Sequence, residues 1–101
     1  METASNLSPT KTALVRASSA NAPGWEWYFF TEESDGIFNG FVKSPFCHEG
    51  EYGLIFSKDL KNIPWIHIGM NAQNQGTAFN IENYLNSMNL TFKISEAIRK
   101  G

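Results

Sequence analysis

The chain has 101 residues, 42% of them apolar and 14% aromatic, which suits one domain with its own hydrophobic core and leaves too little material for a second. Its net charge is only −2, and a lone cysteine, Cys47, excludes an internal disulfide and points to a reducing, cytoplasmic setting. No apolar run approaches the roughly 20 residues of a membrane helix, and the N-terminus lacks the charged start and apolar middle of a secretory signal.

In chain order, residues 1–10 are small and polar and read as a flexible tail ahead of a single domain over 11–101. Lys11 to Ser18 alternates and predicts a first strand, followed by a turn at Asn21-Ala22-Pro23-Gly24. Trp25 to Thr31 is the clearest strand. Trp25, Trp27 and Phe29 share one face and Glu26, Tyr28 and Phe30 the other, and bulk on both faces predicts a central position. Glu32 to Gly36 reads as a polar turn, and Ile37 to Lys43 as a strand in which Gly40 marks a bulge or a close-packing point. Ser44 to Gly50 reads as a connection longer than a tight hairpin, with Tyr52 to Phe56 as the next strand.

Ser57 is placed to cap a short turn ending at Lys61, and Pro64 predicts that the strand Ile63 to Ile68 starts there or lies at an edge. Met70 to Thr77 reads as a polar loop. Asn80 then caps a predicted helix over 80–88, with Ile81, Tyr84, Leu85 and Met88 on one face. Leu90, Phe92 and Ile94 alternate as a last strand, with a short terminal helix from Ser95 to Lys100 as the other reading. The fold class is therefore α+β: a mainly antiparallel sheet of about five strands with one helix packed on a face.

Charge is unevenly spread. Between Glu26 and Glu51 six carboxylates face a single cation, Lys43, in the stretch that also holds the densest aromatic run. Such a stretch favours a protein that meets a basic protein or nucleoprotein complex over one that holds nucleic acid directly, because phosphate binding rests on Lys and Arg. The residues expected to make that contact are Glu26, Glu32, Glu33, Asp35, Glu49 and Glu51, with Tyr28 and Tyr52 as aromatic anchors. Neither the spacing of a structural zinc site nor a phosphate-binding loop, nucleophile elbow or dinucleotide fingerprint occurs, so no metal, cofactor or catalytic residue is assigned. Two other classes stay open: a single-strand binder stacking bases on exposed rings, and an enzyme built on Cys47 and His67. Oligomeric state is not readable from the residues.

Trp25-Glu26-Trp27-Tyr28, Ile37-Phe38-Asn39-Gly40-Phe41-Val42, Glu51-Tyr52-Gly53-Leu54-Ile55 and Lys58-Asp59-Leu60 together resemble an uncharacterised family of small bacterial domains often carried on plasmids, phages and other mobile elements. The resemblance covers about a third of the chain, and Asn39 before Gly40 departs from the family pattern. It implies no reaction and no catalytic residues. It does imply a mobile-element accessory protein, similar in kind to the anti-CRISPR inhibitors that blunt host defence complexes.

Overall fold

Bulky residues on both sides of the chain after Gly24 set up the middle of a sheet. The computed structural model describes residues 9–70, 80–85 and 90–100. Their elements run α1 (Pro9–Thr12), β1 (Val15–Ser18), β2 (Glu26–Ser34), β3 (Ile37–Ser44), β4 (Cys47–Phe56), α2 (Ser57–Leu60), β5 (Ile66–Met70), β6 (Asn80–Leu85) and α3 (Leu90–Lys100). The six strands form one antiparallel sheet in the order β4-β3-β2-β1-β5-β6, with β4 and β6 at its edges. One face packs against α3. Val15, Ala17, Trp27, Phe29, Phe38, Ile55, Ile66 and Ile68 meet Leu90, Ile94 and Ala97 there, so the expected α+β architecture is present.

The helix, however, lies at Leu90–Lys100 and not at 80–88, where Asn80–Leu85 pairs with β5 as a strand. Ile81, Tyr84 and Leu85 satisfy a helical spacing, but Ile and Tyr favour extended backbone and the segment carries two poor helix formers, Asn80 and Asn83. In α3 the buried positions Leu90, Ile94 and Ala97 follow a period of 3.6, while Phe92 faces outward. The alternation of Leu90, Phe92 and Ile94 is thus incidental. Of the expected loop from Met70 to Thr77, Met70 closes β5 and the rest lies outside the described residues, as does the tail before Pro9; Pro9–Thr12 forms one helical turn, so the strand expected from Lys11 begins only at Val15.

Both hairpins of the β2-β3-β4 meander are tighter than the sequence suggests. Ser34 pairs with Ile37, so the expected turn from Glu32 contracts to Asp35-Gly36, with Gly36 at a φ of 79°. Ser44 pairs with Cys47 across Pro45-Phe46, and the Ser44 hydroxyl accepts hydrogen bonds from the amides of Phe46 and Cys47, each at 3.2 Å. The residues that made 44–50 look like a long connection are absorbed in β4 by a bulge beside Gly50, whose φ is 86°.

Before β5, the Pro64 carbonyl accepts hydrogen bonds from the Ser19 hydroxyl at 3.0 Å and the Asn21 side-chain amide at 3.1 Å. This ties the β1–β2 turn to the entry of β5, where Trp65 takes a left-handed φ of 56° and the strand begins one residue later. Ser57 does not cap α2; its hydroxyl instead shares a 2.5 Å hydrogen bond with that of Thr91, joining α2 to α3.

Candidate functional site

Cross-strand partners lie on the same face of a sheet, so the register decides which acidic groups gather. Glu32 opposes Phe38 and Glu51 opposes Val42, which puts both on the side that carries α3. Glu26 opposes Lys43, Tyr28 opposes Phe41, and Phe41 opposes Tyr52, all on the other side. Glu33 reaches that second side too, accepting a hydrogen bond from the Asn39 amide, which also donates to the Thr31 hydroxyl at 3.1 Å. Asp35 sits in the turn and borders a groove with Glu32, Lys61 and Arg99. The carboxylates expected to converge are therefore split between two faces. Register shifts between Phe29 and Thr31 and between Glu32 and Ser34 change the phase of the alternation, which a strict two-residue period does not anticipate.

Glu26 is further withdrawn by its neighbours. The Tyr28 hydroxyl donates to it at 2.5 Å and Arg16 forms a 3.1 Å ion pair with its second oxygen. Burial alone raises a carboxyl pKa, but the Tyr28 hydrogen bond and the charges of Arg16 and Lys43 outweigh it and hold Glu26 below the ordinary range. Tyr28 responds in the opposite sense: burial, then the Glu26 hydrogen bond and charge, push its hydroxyl up to about 12. With its ring only 3% exposed and packed on Phe41 and Ala13, Tyr28 is a structural residue and not an outward anchor.

These shifts set two limits on stability. Glu26 contributes fully above the ordinary carboxyl range and its contribution is lost as pH falls through the depressed pKa. Tyr28 contributes fully below its ordinary value of 10.0, and that part is lost as pH rises toward about 12. Urea midpoints measured against pH should fall at both ends, and Tyr28→Phe should abolish the alkaline limb and shallow the acid one. A Tyr28→Phe profile parallel to the wild type would contradict this account.

The β3–β4 hairpin instead exposes apolar side chains at two places, Phe46 in its turn against Trp25 and the neighbours Tyr52 and Leu54 on the face away from α3. Phe46 is 88% exposed, Tyr52 66% and Leu54 53%, and Glu49 and Glu51 are exposed on the same strand. Tyr52 is held by rings on its inner side, stacked on Phe30 at 6.1 Å and edge-on to Phe41 at 5.0 Å. Because β4 pairs only with β3 among the described strands, its outer backbone row also faces away from the sheet. Leu54 escaped the sequence reading because an apolar residue in a strand pattern looks like core, and Phe46 because it stands in what reads as a connection. The only signal was the one-residue offset of Leu54 from buried Ile55.

Cys47 starts β4 and His67 lies on β5, with three strands between them, a separation of about 19 Å at ordinary strand spacing. The fold does not assemble them into a nucleophile pair. Among the described residues no three His, Cys, Asp or Glu side chains gather as a metal-binding group, and no helix is long and apolar enough to cross a membrane. Compared with protein-family models, curated proteins and solved structures, the chain gives no match.

Proposed function

We propose that the protein is a non-enzymatic protein-binding domain that docks through the β4 edge, with a basic protein or nucleoprotein complex as its partner. The observation that carries this reading is the pair of exposed apolar side chains Tyr52 and Leu54, side by side on one face of the edge strand β4, which also carries exposed Glu49 and Glu51. Exposed apolar side chains on an edge strand match the composition of docking surfaces, and the open strand edge adds main-chain hydrogen bonds to the contact. Prepacking of Tyr52 on Phe30 and Phe41 lowers the entropy lost when the ring is covered.

The finer reading is an inhibitor, encoded on a mobile element, that occupies a host defence complex at a basic surface. It rests on the resemblance given above and on the acidic residues that flank Tyr52. Titrating the protein into purified RNA-guided nucleases and other basic nucleic-acid-handling complexes tests both levels, with binding and nuclease activity as the readouts. Binding should weaken about tenfold or more in Tyr52→Ala, as for a central aromatic anchor. Glu49→Lys with Glu51→Lys should chiefly slow association. Binding without inhibition would leave only the coarser reading, and an absence of both would remove it.

The open face around Phe30, Phe41 and Tyr52 also has the form of a base-stacking platform. The same side of the sheet carries Glu33 and Glu26, which repel phosphate, so oligonucleotides are expected to leave the protein's fluorescence unchanged.

A further inference from the structure

We propose that a cavity beside α2 binds small organic cations, an ammonium group on an apolar body being the ligand class. This inference does not rest on docking at the β4 edge, although Leu54 of that strand also lines the cavity. The cavity has a volume of about 390 Å3, within the range of small-molecule sites, and is walled by Trp25, Trp27, Val42, Leu60 and Ile63 among others. Among the described residues, Asp59 is the one ionisable side chain in that lining.

The aromatic wall is formed in advance. The rings of Trp25 and Trp27 stack at 5.9 Å with 19° between their planes, and Phe46 braces Trp25 edge-on at 6.4 Å. A ligand entering the cavity therefore meets fixed indole surface, which favours a cation over a neutral group of equal size.

Two carboxylates, Asp59 and Glu51, and one cation, Lys58, lie beside the cavity. Asp59 is exposed and forms no ion pair among the described residues. Glu51 stands directly opposite Val42 in the β3–β4 ladder, so a second carboxylate lies on the cavity's side of the sheet, next to a wall residue. Of the nearby lysines, Lys61 lines the separate groove with Glu32 and Asp35. Lys58 holds its ammonium 5.7 Å over the ring of Phe56, itself part of the cavity lining, which is an intramolecular instance of the contact assigned to the ligand. An anion is disfavoured by Asp59 and Glu51, a neutral apolar molecule gains burial alone, and an organic cation gains burial, the aromatic faces and the carboxylates together.

Three nearly isosteric probes separate these cases: phenethylammonium, phenethyl alcohol and phenylacetate. They are titrated into the full chain at neutral pH, with the indole N–H resonances of Trp25 and Trp27 as the readout. Saturable shifts are expected, with the ammonium binding about tenfold more tightly than the alcohol and the carboxylate weakest. Asp59→Asn, at an exposed position that leaves the core intact, should lower ammonium affinity severalfold and leave alcohol affinity unchanged. The proposal is overturned by an absence of saturable shifts with all three probes. An ammonium no tighter than its neutral and anionic counterparts overturns it equally.

Discussion

Replacing Phe29 by alanine is expected to remove about 3–5 kcal/mol of stability, the range for a fully buried aromatic ring. Phe29 is completely inaccessible, lies edge-on to Phe38 at 5.4 Å and 86°, and sits opposite Val15 on one side and Gly40 on the other. Its side chain thus bridges the β1, β2 and β3 strands beneath α3. Gly40 has no side chain to fall into the space, so the cavity stays open and the lost contacts are not recovered. Phe92→Ala is the control: the ring is exposed on α3, and its removal should change stability by no more than about 0.5 kcal/mol. Urea unfolding of both variants measures the difference, and similar losses in the two would overturn the assignment of the core.

Gly40→Ala should destabilise the protein by about 1–3 kcal/mol even though alanine is ordinarily the better strand residue by less than that. A methyl group built on Gly40 runs into the Ile55 side chain and stands 2.5 Å from the Tyr28 carbonyl oxygen. Ile55 has rotamers to exchange, but the Tyr28 carbonyl belongs to the central strand and moves only with the ladder. Gly53→Ala is the companion variant, since a methyl there meets nothing within 4 Å. If the two substitutions have equal effects on the unfolding midpoint, close approach at Gly40 is not what selects glycine.

How much of this was visible beforehand depends on the element. β2 declared itself because seven consecutive residues from Trp25 are mostly aromatic and its two faces both needed cover, which only an interior strand provides. The C-terminal third did not, because Ile81, Tyr84 and Leu85 fit a helical stripe and not a strict alternation, and Leu90, Phe92 and Ile94 are too few to distinguish alternation from a helical stripe. Ala97, buried three residues after Ile94, resolves it, but a small residue gives little weight to a pattern. At the site, Tyr52 was legible as an aromatic among acids. Splitting of the carboxylates was not, since a bulge leaves no mark in composition, and the Trp25–Trp27 cavity exists only once α2 and β4 close around it.

The four-residue strand β1 joins stretches of chain that are made at different times. Its Val15 meets Phe29 on one flank and Met70 on the other. A nascent polypeptide can complete the β1-β2-β3-β4 unit, with its short connections, before residues 66–70 have been added. Until then β1 presents an open ladder to the surroundings, and β5 later arrives as an addition to a template already standing. During synthesis, then, the sheet has a vulnerable border in what finally becomes its interior.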